Sequence, residues 1–369
     1  MRLCNNAIFA ALMAGAALSL QAQQKPAPAR QTSPPPAAAQ TPAQTPPPQA
    51  PSLTEDRDPV RSPDLAAPET GTGPLHKQGD NYLLRADVEE VVLNCTVLDG
   101  NRLVQDLKGE NFQVFEDGVR QNVISFQHTD LPVSIALVID NSGSMYKKRP
   151  SVNKSALDLV QASNPRDEAF VVNFSDEAFI DQEFTSDINK LRDGLSHIDS
   201  RGGTALYDAV VASADKLVAD AKRPKQVIIL ITDGEDNAST LNLEQTIRRV
   251  QDLSGPVIYS IGLLFGDEMS RAEVRHARRA LEMLSMETGG LAFFPKSMED
   301  VDQIAAQVAR DIRSQYTIGY HSTKPTTEPG FRRVQVTASS NGSAKLTVRT
   351  RTGYFPVSPV TKKTKSSGQ

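Results

Sequence analysis

The spacing of apolar and polar positions changes character twice along the chain. Over residues 88–98, 112–116 and 121–126 the apolar residues alternate, and three strands are expected there. Asp99-Gly100-Asn101 and Asp117-Gly118 supply the turns. From Leu131 to about Gln315 the pattern becomes short apolar runs separated by stretches of helical period. The runs cover 133–139, 168–174, 227–232 and 257–263, with shorter ones at 179–184 and 291–294. Runs this short and this rich in Val and Ile read as strands buried on both faces. The helical stretches cover 152–162, 188–198, 205–218, 243–253, 272–288 and 298–315, with Asp187 placed to cap the second. Such alternation predicts an α/β domain, a doubly wound and mostly parallel sheet with helices on both faces. Beyond Tyr316 period two returns over 316–321, 332–338 and 344–351, with Asn341-Gly342 as a tight turn.

Neither β stretch has enough strands for a core of its own. They are therefore expected to pack together as one β-sandwich-like domain, 81–129 with 316–357, and the α/β domain, 130–315, to be inserted between them. Two separate small β units are the alternative. Most of the prolines fall within 23–80 among Ala, Gln and Thr, with almost no large apolar side chain. That composition cannot form a core and reads as a disordered, semi-stiff linker. Residues 358–369 form a polar tail. Ahead of the linker, Arg2, the apolar stretch 8–20 and Leu20-Gln21-Ala22 make a signal peptide, residues 1–22, cleaved after Ala22. The apolar stretch is too short to span a bilayer comfortably. An uncleaved N-terminal anchor is the alternative. Cys4 precedes the apolar stretch and does not fit a lipoprotein attachment site. The expected location is exported: periplasmic, cell-surface or secreted, with no transmembrane span after cleavage.

Charge removes one class of partner. Forty basic residues against 44 acidic ones give a net charge of -4, so nothing suggests nucleic-acid binding. The basic run from Arg271 to Arg279 is interrupted by Glu273, and Val274, Ala277 and Leu281 supply an inward stripe. It reads as the solvated face of a helix. Loss of Cys4 with the signal peptide leaves Cys95 alone, so no internal disulfide is possible. Its place on the face of Val91, Leu93 and Val97 makes it a small buried hydrophobe.

The candidate chemistry lies where the apolar runs stop. Leu131 to Met145 reads LPVSIALVIDNSGSM, so an apolar strand ends in Asp140 and is followed by Ser142 and Ser144. Open α/β sheets place ligands at the carboxyl ends of their strands. Arg201-Gly202-Gly203-Thr204 offers another hydroxyl before a helix, and Lys225 to Asp233, KQVIILITD, ends in a second carboxylate. Hard oxygen donors of this kind suit Mg²⁺, or Mn²⁺ or Ca²⁺. Simple helix capping by Asp140 and Ser142 would leave the Thr204 loop and the Asp233 turn unexplained.

In this order, Asp140, Ser142, Ser144, Thr204 and Asp233 resemble the metal-ion-dependent adhesion site of the von Willebrand factor type A domain. The turn at Glu116-Asp117-Gly118 and the Phe at 126 resemble the N-terminal module of the acidobacterial class of von Willebrand factor A-related proteins. The first resemblance implies that Asp140 and Asp233 act largely through bound water. A cation held mainly by neutral hydroxyls keeps a demand for negative charge, which an Asp or Glu carboxylate of a protein partner can meet. Asn141, Met145, Gly203, Glu235 and Asp236 are the expected rim of that contact, with ordinary solvated turn residues as the other reading of Glu235 and Asp236. No histidine lies beside a predicted ligand, and there is no nucleophile elbow, phosphate loop or paired-carboxylate pattern. The expected function is metal-dependent protein recognition without catalysis. A scaffold subunit with a structural metal is the alternative, and a metal-dependent hydrolase a weaker one. The sequence does not set the oligomeric state.

Overall fold

The computed structural model describes residues 90–356, apart from 163, 198, 199, 254, 267, 268 and 341–345. It also describes the backbone of 53–55, 58–60, 76–78 and 81–83. The expected signal peptide, most of the linker, the Asn341-Gly342 turn and the polar tail lie outside the described residues.

Glu90–Asp99 (β1) turns Val91, Leu93, Cys95 and Val97 inward, the period of a strand with one face on a core. Arg102–Leu103 (β2) folds back on β1. Phe112–Glu116 (β3) and Val119–Gln121 (β4) form a hairpin. Its turn residues Asp117 and Gly118 both have positive φ, 47° and 79°, as a type I′ turn requires. Val123–Gln127 (β5) follows. Residues 121–126 are thus not one strand, as the alternation suggested. Gln121 pairs with Val114 whereas Val123 pairs with Tyr320, so the chain changes sheets between them. Alternation reports which way side chains face and not which neighbour the backbone pairs with.

The α/β part then runs Val133–Asp140 (β6), Arg149–Gln161 (α1), Glu168–Phe174 (β7), Ala178–Thr185 (β8), Ile188–Leu195 (α2), Leu206–Asp220 (α3) and Lys225–Thr232 (β9). Leu243–Asp252 (α4), Val257–Gly262 (β10), Arg271–Thr288 (α5), Ala292–Phe293 (β11) and Glu299–Arg313 (α6) complete it. The sheet order is β11-β10-β9-β6-β7-β8. All pairs are parallel except β7 with β8. Leu53–Glu55, from the linker, pairs in parallel with β8, and Asp58–Val60 lies beyond it. Every residue of β6 is buried. Ile135, Leu137 and Ile139 pack with α1, α2 and α6, and Ala136 and Val138 with α3, α4 and α5. Two covered faces are why the run lacks polar alternation, and each large side chain so buried contributes roughly 1.5–3 kcal/mol.

Tyr316–His321 (β12), Arg332–Ala338 (β13), Thr347–Arg349 (β14) and Gly353–Tyr354 (β15) return to β structure. Two antiparallel sheets result, β14-β1-β12-β5 and β15-β13-β3-β4, each built from strands on both sides of the insertion. Leu93, Phe112, Val114, Tyr316, Ile318 and Val336 share one core, so the flanking strands do form a single sandwich. Inside it Glu116 is fully buried. It accepts hydrogen bonds from the hydroxyls of Tyr320 (2.8 Å), Tyr354 (2.9 Å) and Ser322 (2.6 Å), with Arg332 at 3.7 Å. Cys95 is fully buried and burial pushes its thiol up to about 12, which suits packing and not reactivity. At the junction with the insertion, Asp311 of α6 accepts from the Tyr259 hydroxyl (2.6 Å) and pairs with Arg349 of β14. Among the described residues no helix is long and apolar enough to cross a membrane.

Candidate metal centre

The carboxyl ends of β6 and β9 lie side by side, because these strands are parallel neighbours in register from Val133 with Lys225 to Ile139 with Ile231. That register brings Asp140, one residue beyond the paired segment, and Asp233, two residues beyond it, to the same edge. Asp140 is fully buried. One oxygen accepts from the Ser142 backbone N–H (2.8 Å) and the other from the Thr232 hydroxyl (2.5 Å). Burial pushes its carboxyl up to about 6, against the lowering effect of those hydrogen bonds, and the charge of Asp233 adds to the rise. A short 3-10 turn, Gly143–Met145, then carries the chain round so that the Ser142 and Ser144 hydroxyls lie 3.2 Å apart. Ser144 donates to Asp233 Oδ1 at 2.7 Å.

The Thr204 loop is held to the same edge by its backbone. The Thr204 N–H donates to Asn237 Oδ1 (2.8 Å), and its carbonyl accepts from the Asn237 (3.1 Å) and Ala238 (3.3 Å) N–H groups. Asn141 ties it from the other side, its carbonyl accepting from the Arg201 N–H at 3.1 Å. Gly202 has φ 78°, and a Cβ there would collide with the Asp176 carboxylate, so the loop can close only around glycine. The Gly203 N–H donates to Asp176 Oδ1 at 2.7 Å.

Ser144, Thr204 and Asp233 face one cleft of about 280 Å³, whose other wall includes Phe265 and Met269. Asp140 and Ser142 sit beneath it, buried. Among the described residues no three His, Cys, Asp or Glu side chains converge as a metal site. A cation here would therefore rest on two carboxylates and a set of hydroxyls. That donor set, all oxygen and built on a buried carboxylate, fits Mg²⁺ or Mn²⁺.

The expected rim is only partly at the surface. Met145 is fully buried and packs in the core with Val152 and Leu159, so it cannot belong to an exposed contact. The 3-10 turn directs it inward, which spacing alone does not reveal. Asp236 is engaged locally. It accepts from the Tyr207 N–H (3.1 Å) and the Ser239 hydroxyl (2.5 Å), and burial raises its carboxyl above the usual range. Glu235 stands beside His276, 3.3 Å away. Gly203 and Asn141 are half-buried.

Two residues that sequence reasoning passed over stand closer to the carboxylates. Lys148 Nζ donates to Asp233 Oδ2 at 2.5 Å. Arg149, the first residue of α1, is fully buried with none of its guanidinium nitrogens hydrogen-bonded among the described residues. Burial pushes Arg149 down to about 10, while Asp181 and Asp140 act to raise it. The run Lys147-Lys148-Arg149 carries no periodicity that says which of its charges turn inward.

Comparison with known proteins agrees with this architecture. Residues 135–235 match the family model of the von Willebrand factor type A domain, and the α/β part of this chain has that kind of fold. Human inter-alpha-trypsin inhibitor heavy chain H4 is 27% identical over 307 residues, 74% of this chain and 32% of the relative. Mouse calcium-activated chloride channel regulator 3A-1 is 31% identical over 169 residues, 43% of this chain and 17% of the relative. The chain thus spans about a third or less of the length of these curated relatives. A solved von Willebrand factor type A protein from Catenulispora acidiphila aligns over 72% of this chain and 73% of its own, with 12% identity and a TM-score of 0.43.

Proposed function

We propose that this chain is an exported, non-catalytic interaction module that holds Mg²⁺ or Mn²⁺ at Asp140, Ser142, Ser144, Thr204 and Asp233. Through that cation it recognises an Asp or Glu side chain of a protein partner. The observation that carries the reading is the cleft. Three hydroxyl or carboxylate donors open onto it from separate loops, above a buried carboxylate fixed by Thr232 and the Ser142 backbone. Ser142, Ser144 and Thr204 would coordinate without adding charge, so the bound cation would supply an electrophilic, incompletely neutralised contact. Among the described residues no histidine lines the cleft, and of its carboxylates Asp236 is already held by the Tyr207 N–H and the Ser239 hydroxyl. We read the site as one of recognition rather than hydrolysis. The apolar stretch 8–20 followed by Leu20-Gln21-Ala22 supports an envelope or extracellular setting.

The test is calorimetric titration of Mg²⁺ and Mn²⁺ into the protein and into Asp140→Ala. Binding by the wild type and none by the variant is expected. Equal affinity in both would overturn the assignment. Chelator should release a partner captured from the native envelope while leaving the melting temperature within a few degrees. A collapse of the melting temperature on chelation would identify a structural ion instead.

A further inference from the structure

Helix N-termini favour acidic side chains, because the first N–H groups and the helix dipole present positive charge there. The N-terminus of α1 shows the reverse. Lys148 stands at its cap and Arg149 at its first position, and no acidic residue occupies its first turn. Lys148 is turned towards the centre described above, and Arg149 into the interior. Lys148 pairs with Asp233, whose side chain is fully buried, and its own side chain is only 15% exposed. Its ammonium lies over the Phe265 ring, 5.9 Å from the centroid, on the wall of the same cleft. Arg149 is fully buried, with the charges of Asp181 and, after it, Asp140 acting to keep it protonated. Asp233 is thus matched by a resident positive charge, Lys148.

We propose that Lys148 is a tethered competitor for the divalent cation: its ammonium occupies Asp233, and metal uptake requires it to leave. The proposal rests on the metal-binding reading above. Asp233 Oδ1 is already engaged by Ser144, and Oδ2 by Lys148. A cation coordinating this carboxylate, directly or through water, must share it with a charge held 2.5 Å away or expel that charge. Lys148 has room to move. Its stem borders the open cleft, whereas Arg149 is locked in the interior. The pair therefore divides into a fixed charge in the interior and a displaceable one before Asp233. A binding-competent state populated at a tenth or less weakens apparent affinity at least tenfold.

The experiment compares Mn²⁺ affinity of the full chain with that of Lys148→Gln and of Lys147→Gln, whose lysine is exposed on the same loop. Alongside, acetylation of Lys148 in the wild-type protein is measured by peptide mass spectrometry with and without Mg²⁺. Expected is at least about a tenfold gain for Lys148→Gln, less than threefold for Lys147→Gln, and faster acetylation of Lys148 when Mg²⁺ is present. Metal binding by Lys148→Gln with none detectable in the wild type would also support the proposal. Equal gains in the two variants, or acetylation of Lys148 that ignores Mg²⁺, would overturn it and leave the metal site standing. Failure of both wild type and Lys148→Gln to bind would overturn the metal site and this proposal together.

Discussion

Lys225, at the start of the central strand β9, is 3% exposed, and its ammonium donates to the Ile312 carbonyl in the last turn of α6 at 3.1 Å. Burial pushes it down to about 8, with Arg313 adding to the fall and Asp130, Asp311 and Asp167 opposing it. Its unfolded value is the ordinary one, 10.5. Because the folded value is the lower, the unfolded chain holds a proton that the native state has lost between about pH 8 and 10.5. Stability therefore rises with pH across that window. At about 1.4 kcal/mol per tenfold, the charged lysine costs the native state roughly 3 kcal/mol near neutrality, and most of that is relieved by pH 10. Lys225→Met keeps the stem's packing and removes the charge, at a loss of about 1 kcal/mol for the carbonyl left without its donor. The variant should be more stable than wild type at pH 7 by about 1–2 kcal/mol, and this advantage should shrink by roughly 2–3 kcal/mol by pH 10. Urea unfolding of both proteins at the two pH values, followed by far-UV circular dichroism, measures the difference. Other groups that titrate in this range cancel in the comparison. Parallel stability curves for the two proteins from pH 7 to 10 would refute the reasoning, because a lysine with an unshifted value adds no slope there.

Glu116→Ala should cost about 3–5 kcal/mol, since it strands the Tyr320, Tyr354 and Ser322 hydroxyls and leaves Arg332 without its buried partner; a loss under 1 kcal/mol in urea unfolding would mean that the network is not closed. Thr232→Val is nearly isosteric but removes the donor to Asp140, and a cost of about 1–3 kcal/mol is expected in the metal-free protein. Gly202→Ala should lower stability by about 1–2 kcal/mol and weaken Mn²⁺ binding by displacing the Thr204 loop, whereas unchanged binding would separate loop geometry from the site. Mass spectrometry of the protein from its own cell envelope should find an N-terminus near Gln23; an intact Met1 would refute cleavage, and a cytoplasmic location would sink the exported reading.

Much of this architecture was legible in the sequence because its signals are local. A strand covered on both faces has to be apolar throughout, and a donor at its carboxyl end has to interrupt that run, so Asp140 and Asp233 stand out. The glycines before Thr204 mark a turn that only glycine can make. The two-sheet sandwich was also legible, since neither set of alternating strands was sufficient alone. What stayed hidden depends on direction in space. Met145 has the same spacing from Asp140 as an exposed loop residue would, yet the 3-10 turn points it into the core. Lys148 and Arg149 look like any solvated basic turn until the fold sets one on Asp233 and buries the other. The step between Gln121 and Val123 preserves alternation, so a change of sheet left no mark.

The chain leaves the sandwich after Gln127 and returns at Tyr316, and Gln127 faces Thr317 across adjacent strands. This has a mechanical consequence. A pull that enters through β5 and leaves through β12 is therefore shared by the strand pair that closes the insertion, and need not run through the sheet that holds the cleft. A pull on the C-terminal strands takes another path: Arg349 pairs with Asp311 and the Thr352 N–H donates to the Glu287 carbonyl, so tension on β14 and β15 bears directly on α5 and α6.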